Sequence, residues 1–556
     1  MSATAVHAGG IAGHIHPEPQ GFVRRYIFSL DHKIIGIQYL ITGFVFMILA
    51  GLLAEVIRTQ LLHANGGFVS PDVYDEVYSV HGSTMVWLVV IPLLTGAFGN
   101  IIMPVQIGAR DVAFPWLNMI SFWIFPVAGL MLFSSFLMGA PVAGWTEYPP
   151  MSLQAGPGTS MWAAAIFLVG VSSTLTGINF LVTIYQMRAP GMTFTRMPLF
   201  VWAQFATAPL LMIATTALAA ALAALFIERQ FGVPFYDPTK GGSPLMWQHM
   251  FWFYSHPAVY IMILPAFGMI SEIIPTFARK PIFGYKMIAF SSMAIALAGF
   301  MVWAHHMFTS GLAPYLQLPF MIITFIIAIP TGVKIFSWTA TLWGGKIHYT
   351  TAMLFAIGFV GLFTLGGITG IFLAAVPFDL HVHGTYFVVA HLHYVLVGGS
   401  LMGIFAGTYF YFPKMSGRLM NETLGKWNFW LFLIGFNGTF LPMHWLGMLG
   451  MPRRVPEYDP QFQFWNDFAS ISSFVMTFAI LLFFINILWS IRNGKKSGPN
   501  PWGGRTLEWQ VPSPPHYYNF KNIPTVFGLP YNFSQPLPYK GLEEELTDTP
   551  VTVGAH

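Results

Sequence analysis

Apolar stretches long enough to cross a lipid bilayer recur along the whole chain, and they limit what it can fold into. A membrane-spanning helix needs about 20 mostly apolar residues. An unbroken helix also lets the chain cross lipid with its backbone polar groups hydrogen-bonded. We predict twelve such helices, with approximate bounds 34–58, 75–104, 117–137, 161–187, 199–227, 247–277, 283–309, 318–338, 351–376, 385–412, 427–448 and 470–492.

The overall composition agrees with a membrane protein. The chain has 556 residues, of which 55% are hydrophobic and only 8% are charged. This favours an all-α, polytopic membrane protein with the lipid bilayer as a partner. The formal net charge of +4 does not indicate nucleic-acid binding, because the basic residues are divided among loops. The absence of cysteine excludes disulfides and thiolate metal sites.

The charged residues indicate three parts and an orientation. A polar segment, 1–33, precedes the helical domain, 34–492, and a Pro-rich tail, 493–556, follows it. Of the 25 Lys and Arg residues, 19 fall on the side of the membrane that carries both termini. The positive-inside rule places that side in the cytoplasm. We therefore expect a multi-pass protein of the bacterial inner (plasma) membrane with both termini cytoplasmic.

Six histidines lie in apolar stretches, where an ionisable side chain is costly and usually marks a functional site. They are His81, His256, His305, His306, His391 and His393. His391 and His393 lie one residue apart. Because each helical residue turns by about 100°, their imidazoles should face two different neighbours. The adjacent pair His305 and His306 can reach one metal from neighbouring directions, and imidazole suits iron and copper. Hydrogen-bonded core histidines are the alternative for His391 or His393 alone.

The order of the histidine motifs carries a resemblance to a known family. His256 and Tyr260, in His-Pro-Ala-Val-Tyr, are four residues apart and share one helical face. This motif, then His-His, then His-x-His, resembles subunit I of the haem-copper oxygen reductases, which include cytochrome c and quinol oxidases. The resemblance covers roughly residues 20–515. It implies two haems, one low-spin and one high-spin and both of the haem A type, together with one copper.

The resemblance assigns the metal ligands by position. His81 and His393 would ligate the low-spin haem iron, and His391 would ligate the high-spin haem iron. The copper facing that haem would be held by three residues. They are His256, His305 and His306. Tyr260 would be bonded to His256 and would supply an electron and a proton to oxygen.

Residues on the outer side match further haem contacts of the family. Arg453 and Arg454 would bind haem propionates, although an interfacial anchor is the alternative reading. Arg58 matches the arginine that bonds the formyl group of haem A. His383 matches the region of an outer magnesium. Gly384 stands where an acidic or amide residue is expected, which puts the magnesium site in doubt.

A lysine within an apolar stretch marks a candidate proton path. Lys334 lies in Ile-Pro-Thr-Gly-Val-Lys-Ile-Phe. It could extend its ammonium group to the membrane surface. By resemblance, Lys334 with Thr331, Thr324 and Ser271 instead matches the proton path that leads to Tyr260.

A second candidate path begins at Asp111. In the family this aspartate is the path entrance, with Asn100 and Asn118 lining the channel. A loop carboxylate paired with Arg110 is the alternative.

The far end of this second path departs from many relatives, which carry glutamate where this chain has Ala258. Tyr254 lies four residues earlier on the same helical face, and Ser255 follows it. This Tyr-Ser pair resembles a subclass of the family, in which the hydroxyls take the place of the carboxyl. The alternative is that Tyr254 only fills volume.

The sequence therefore predicts a terminal oxidase that reduces oxygen to water with electrons from cytochrome c. The electrons would arrive through subunit II, and subunit III would be a further partner. Proton uptake and pumping would be coupled to the reaction. A quinol-fed oxidase is the first alternative, although the positions expected to face quinol look like Leu53 and Val73, which are apolar. A nitric oxide reductase, a membrane cytochrome that only relays electrons and a transporter are more distant alternatives, and metal analysis separates them.

Overall fold

The computed structural model describes residues 18–543 and residue 545. Predictions for residues 1–17, in the N-terminal segment, and for residues 544 and 546–556, in the tail, lie outside the described residues. The described chain is built from long helices joined by short loops. A two-stranded antiparallel ribbon, Thr525–Val526 with Tyr539–Lys540, is the exception to the predicted all-α fold.

The described residues contain one helical element for each of the twelve predicted segments. We number these elements α1 to α12 in chain order. They are His32–Gln60, Pro71–Gln106, Pro115–Met138, Gly158–Gln186, Leu199–Phe231, Pro244–Ala278, Tyr285–Gly299, Pro314–Leu342, Thr351–Ala374, Tyr386–Ser416, Glu422–Met448 and Pro460–Asn493.

Ten of these helices are long and apolar enough to cross a membrane. The two others are α7, with only 15 residues, and α11, which has 27 residues. Helices α2 and α6 occupy the centre, because 94% and 89% of their most apolar windows are buried by protein. In α8 and α12 the corresponding buried shares are 17% and 22%, so these helices present most of their apolar surface outward.

The seventh segment differs from the single helix predicted over 283–309. Helix α7 ends at Gly299, and a separate 3₁₀-helical turn, Trp303–Met307, carries His305 and His306. The prediction that these two histidines lie on an α-helix was therefore wrong. A 3₁₀ helix has three residues per turn, so adjacent side chains diverge by about 120° rather than the 100° of an α-helix. Gly299 allows a close approach here, since a Cβ would lie 2.8 Å from Cδ2 of Tyr260.

Widened π-helical stretches follow two of the histidine positions. Thr84–Val90 begins three residues after His81, and Leu396–Leu401 begins three residues after His393. Insertions of this kind occur frequently at functional sites, because the extra residue redirects the side chains around it. Both histidines therefore lie at the end of a regular helical segment, immediately before a change of helical winding.

The described part of the tail packs against the ends of the helices on the side of the termini. Asn519 bonds both His32 and Lys33 at the start of α1. The Tyr531 hydroxyl donates to Oε1 of Glu272 in α6 at 2.6 Å. The tail thereby closes this end of the helical bundle, and its hydrogen bonds link it to the membrane domain.

Candidate functional site

Three histidines from two elements meet at one point. Helix α6 supplies His256, and the Trp303–Met307 turn supplies His305 and His306. The His256 Nδ1 to His306 Nε2 distance is 3.2 Å, and the His305 Nε2 to His306 Nε2 distance is 3.1 Å. Nitrogens bound to one metal at about 2.0 Å lie about 3 Å from each other. The three imidazoles therefore fit a single metal ion, and they form the one such group that we find among the described residues.

Neighbouring side chains fix the orientation of two of these rings. The Thr324 hydroxyl donates to the Phe320 carbonyl and lies 3.0 Å from Nδ1 of His305. Because the Thr324 hydroxyl proton is already donated to the Phe320 carbonyl, the Thr324 oxygen accepts from His305 Nδ1–H. His305 Nε2 therefore keeps its lone pair. His306 stacks on Trp252 with 3.7 Å between ring centroids. Such partners of the ligands commonly set the tautomer and direction of a metal-binding histidine.

Tyr260 lies beside this group. Its ring centroid is 4.9 Å from that of His256, and the two rings meet edge to face. Nε2 of His256 is buried and makes no hydrogen bond within the described chain. The Nδ1 atom of His256 is therefore the nitrogen directed towards His306, and Nε2 is left for a different interaction.

The other three membrane histidines share a pattern of hydrogen bonding. Nδ1 of His81 lies 2.8 Å from the Ala50 carbonyl, and Nδ1 of His393 lies 2.7 Å from the Val389 carbonyl. Nδ1 of His391 lies 3.0 Å from the Gly366 carbonyl. A carbonyl only accepts, so each Nδ1 carries the proton and each Nε2 keeps a lone pair. This is the arrangement that a haem iron ligated through Nε2 requires.

Helix α10 presents His391 and His393 to different sides, as their spacing predicts. His391 lies against α9, where a Cβ on Gly370 would come within 2.9 Å of its Cε1 atom. His393 stacks on Phe440 of α11 with 4.2 Å between ring centroids.

The six histidines divide into two groups by proximity. His81 and His393 lie close enough to interact electrostatically. His391 interacts in the same way with His305 and His306. The structure thus brings together the proposed low-spin pair in one place, and the proposed high-spin ligand and the three-histidine group in another.

Arg453 and Arg454 follow α11 in a loop and have no carboxylate partner. Three ion pairs occur among the described residues, and neither arginine takes part in them. Burial, and then the neighbouring Arg454, lowers the pKa of Arg453 to about 10. Arg454 donates to the Ala143 carbonyl at 3.3 Å and lies over the Tyr78 ring. Two adjacent guanidinium groups with no carboxylate in ion-pair contact suit an anionic group such as a haem propionate.

Two other outer residues have partners within the chain. Arg58 is buried and donates through Nη2 to the Asn466 carbonyl at 2.9 Å and to Ser470 at 2.7 Å. His383 pairs with Asp379, with 2.9 Å between Nδ1 and Oδ2. Both residues are therefore held in place by protein contacts.

Lys334 is fully buried, so its ammonium group does not extend to the membrane surface. Its Nζ donates to Ser292 Oγ at 2.7 Å and to the Ile288 carbonyl at 2.9 Å, both on α7. Thr331 lies on the same helix and donates to the Ile327 carbonyl. Ser271 accepts a hydrogen bond from Trp338 on α8 at 2.9 Å. Ser292 could not be predicted from the sequence, because its contact with Lys334 joins two different helices.

Asp111 lies in the loop between α2 and α3 and forms no ion pair with Arg110. Burial raises the pKa of Asp111 to about 7, although a hydrogen bond from the Val112 amide opposes the shift. Asn118 in the first turns of α3 donates to Asn100 Oδ1 at 2.7 Å. The structure therefore brings the two predicted asparagines into direct contact.

A chain of hydroxyl groups continues from the two asparagines. These hydroxyls were not predicted from the sequence. Ser121 donates to the Asn118 carbonyl at 2.7 Å, and the Tyr39 hydroxyl donates to Ser121 Oγ at 3.2 Å. The Tyr39 and Ser172 hydroxyls are 3.4 Å apart. The spacing of Asn118 and Ser121 places them on one helical face, but the contacts of Tyr39 and Ser172 come from other helices.

Tyr254 has a partner that the sequence did not indicate. Its hydroxyl accepts a hydrogen bond from Trp87 Nε1 at 3.1 Å. The hydroxyl proton of Tyr254 therefore stays available to another acceptor. Ser255 is fully buried, and its hydroxyl has no partner among the described residues. Two neighbouring hydroxyls with unused hydrogen-bonding capacity thus lie one turn from Ala258.

Comparison with known proteins places this chain in a family. The profile described as "Cytochrome C and Quinol oxidase polypeptide I" matches residues 34–481. Cytochrome c oxidase subunit 1 of Thermostichus vulcanus is 53% identical over 519 residues, covering 93% of this chain and 94% of that protein. The subunit 1 of Synechocystis sp. is 50% identical and covers 95% of each chain. That of Bacillus subtilis is 48% identical, over 91% of this chain and 82% of its own length.

The fold also matches a solved structure. A cryo-EM structure described as a heme-copper terminal oxidase dimer superposes with a TM-score of 0.71. The match covers 84% of this chain and 85% of that one at 20% sequence identity, so it shows a shared fold alone.

Proposed function

The chain belongs to the cytochrome c and quinol oxidase polypeptide I family, and we propose from the geometry of its site which residues carry the reaction. It is a multi-pass membrane protein and the catalytic subunit of a cytochrome c oxidase, a haem-copper enzyme that reduces oxygen to water. The observation that carries the residue assignment is the convergence of three imidazoles beside Tyr260.

The proposed ligand set follows the two groups of histidines. His256, His305 and His306 hold the copper, and His391 ligates the high-spin haem. His81 and His393 ligate the low-spin haem, and both haems are of the A type. When bound, these groups supply electron transfer and the reduction of oxygen. Two observations support the fit. Hydrogen bonds at Nδ1 leave the Nε2 lone pair free in four of the proposed ligands, which are His81, His305, His391 and His393. Arg453 and Arg454 form no ion pair within the described chain.

Tyr260 is proposed to give a proton, and an electron, to oxygen from its position beside His256. By resemblance it is bonded to His256, and the unused, buried Nε2 atom of that histidine supports such a bond. Arg58 would contact the formyl group of haem A from its anchored position on Ser470. His383 would be the magnesium residue, but Gly384 offers no side-chain ligand beside it, which puts the magnesium site in doubt.

Two routes are proposed to bring protons from the terminus side. In the first, Ser271, Lys334, Thr331 and Thr324 move protons towards Tyr260. Lys334 is held by Ser292 within this route, and Thr324 contacts the copper ligand His305.

In the second route, Asp111 takes up protons at the surface. A carboxyl group with a pKa of about 7 can accept and release a proton at neutral pH. Asn100 and Asn118, and then the hydroxyls of Tyr39, Ser121 and Ser172, lead inward. Tyr254 and Ser255 complete the route, which also serves pumping.

The two routes should be separable by mutation. Lys334→Met is expected to stall anaerobic reduction of the high-spin haem and copper, because that step needs a compensating proton. Asp111→Asn should leave this reduction fast but slow turnover after oxygen binds and uncouple pumping. Stopped-flow reduction and proton-release measurements on both variants test this, with Lys280→Met as a control at a lysine outside the route. Equal slowing of anaerobic reduction by both changes would contradict two separate routes.

Tyr254 gives a sharper test of the second route. The change to Phe keeps the ring in place and removes only the hydroxyl that Trp87 contacts. We expect a marked fall in oxygen consumption at normal haem and copper content. Ala258→Glu in this background should restore part of the activity, since it returns a carboxyl group to the same helical face. Wild-type oxygen consumption and proton release in Tyr254→Phe would show that water alone bridges this gap.

The remaining proposals concern the assembly. All twelve helices would cross the bacterial inner membrane with both termini in the cytoplasm, and the chain would divide into 1–33, 34–492 and 493–556. Oxidase subunits II and III would be the partners, and cytochrome c would donate electrons through subunit II. A quinol-fed oxidase stays the alternative. Oxygen consumption by the purified complex, measured with reduced cytochrome c and then with a quinol, distinguishes them.

A further inference from the structure

Asn519, in the described part of the tail, joins three separate parts of the chain at the entrance of the second proton route. Its Nδ2 atom lies 2.8 Å from Nε2 of His32 and 2.8 Å from the Ala109 carbonyl oxygen. Its Oδ1 atom accepts a hydrogen bond from Lys33 Nζ at 3.0 Å. The side chain therefore connects the tail with the start of α1 and with the loop that carries Asp111.

The contact with His32 extends this connection into the route. Nδ1 of His32 lies 2.6 Å from the Asn100 carbonyl, and a carbonyl only accepts, so Nδ1 carries the proton. Nε2 of His32 is then an acceptor, and it receives a hydrogen bond from Asn519 Nδ2. Asn100 belongs to the second route, since its Oδ1 atom accepts from Asn118. Asn519 thus bonds the loop of Asp111 directly and reaches Asn100 through His32.

The conformation of Asn519 suits this role. The residue is fully buried and has a φ of +62°. Asparagine tolerates this left-handed conformation better than most residues that carry a side chain. Its amide group has no unused donor or acceptor, because the two Nδ2 protons go to His32 and the Ala109 carbonyl and Oδ1 accepts from Lys33. A side chain without an amide would leave all three partners without these hydrogen bonds.

Charged or titratable side chains lie around Asp111 in its own loop, at the start of α1 and in the tail. They are Arg110, Asp31, His32, Lys33 and Tyr517. On the side of α4 the loop meets neutral groups, because Thr183 and Asn179 accept from backbone amides of residues 113 and 114. Burial is the main reason that the pKa of Asp111 is raised to about 7. Asp31 raises this pKa further, whereas Lys33 lowers it.

We propose, building on the second route proposed above, that Asn519 is a positioning residue for proton uptake at Asp111: it holds the tail over the loop and keeps the carboxyl group out of water. The entrance then takes up protons around neutral pH only while the tail is in place. The tail is therefore part of the proton route, in addition to closing the end of the bundle.

Loss of the Asn519 side chain acts in a defined direction. Water then reaches Asp111, and its pKa falls towards the ordinary value of about 4. A carboxyl group with the lower pKa is deprotonated at neutral pH, so a step that needs its proton slows there and recovers as the pH falls. Loss of the Lys33 charge acts in the opposite direction, because Asp31 is left unpaired near Asp111 and the pKa of Asp111 rises.

The test is the pH dependence of the steps after oxygen binding, measured by flow-flash kinetics on the purified oxidase complex. Asn519→Gly removes the side chain and keeps the left-handed backbone accessible. We expect the pH midpoint of this variant to lie about one unit or more below that of the wild type. Anaerobic reduction of the high-spin haem, which uses the first route, should be unchanged. Lys33→Met should shift the midpoint upward.

A second asparagine of the tail provides the matched control. Asn532 accepts a hydrogen bond from the Ser534 amide, and Asn532→Gly should keep the wild-type midpoint. Should Asn519→Gly assemble with low haem content, Asn519→Ser decides by the same measurement, because it also removes the Nδ2 donors.

Asp111→Asn, measured in parallel, separates the positioning role from the route itself. If Asp111→Asn slows the steps after oxygen binding but Asn519→Gly leaves their rate and midpoint as in the wild type, the positioning role is wrong and the route stands. Equal slowing of all steps in Asn519→Gly at an unchanged midpoint would show that the tail only stabilises the fold, and this also overturns the proposal. Wild-type kinetics in Asp111→Asn would overturn both the route and the role of Asn519.

Discussion

Replacing His305 with alanine is expected to remove copper from the purified enzyme, to leave both haems in place and to abolish oxygen reduction. His305 Nε2 lies 3.1 Å from His306 Nε2, so its loss leaves only two of three converging nitrogens. Loss of a partner outside the ligand sphere already lowers metal affinity or activity by about 10–100-fold. Loss of a ligand should therefore reduce oxygen consumption by more than about a hundredfold. The measurement is copper per haem by elemental analysis, together with the optical spectrum.

Two further variants control this experiment. Thr324→Val removes the hydroxyl that orients His305, and it should weaken copper retention without removing it. His249→Ala removes a histidine of the same helix as His256 that contacts Trp303, and it should keep full copper. Full copper in His305→Ala would show that the three-histidine group is not the copper site.

The second large effect is expected at the other group of histidines. His393→Ala should abolish the low-spin haem signal and leave part of the high-spin haem, because His393 and His81 lie together while His391 lies with the three-histidine group. His81→Ala should give the same spectrum, since either change would leave the low-spin haem with only one of its two proposed histidine ligands. Both changes should stop electron entry from cytochrome c.

The reciprocal variant is the control. His391→Ala should lose the high-spin signal and keep the low-spin one. Reduced-minus-oxidised spectra and carbon monoxide binding distinguish the two haems. A low-spin haem that survives in His393→Ala, or equal loss of both haems in all three variants, would contradict the division of the histidines.

Periodicity along single helices explains what the sequence could predict. The divergence of His391 and His393 and the shared face of His256 and Tyr260 follow from helical geometry alone, and the structure shows both. The positions of the helices also followed from apolar length. Helix α7 is the exception, because it ends at Gly299 although no proline or charged residue between positions 297 and 303 marks a helix end in the sequence.

Contacts between different helices explain what the sequence could not predict. Ser292 holds Lys334, Trp87 contacts Tyr254, and Tyr39 meets Ser121, in each case across a helix–helix interface. Serines, tyrosines and tryptophans are common in apolar helices, so none of them stands out by residue type. The packing of the tail onto the bundle, including the Tyr531 to Glu272 hydrogen bond, has no sequence signature of this kind either.

The assignment of the six histidines is tested most directly by counting the metals in the purified enzyme. Pyridine-haem spectroscopy with copper quantitation on this purified subunit measures haem and copper together. The account predicts two haems of the A type and one copper per chain. Iron without copper, a single haem, or haem without any copper would contradict it, because three converging imidazoles beside Tyr260 would then have no metal to hold.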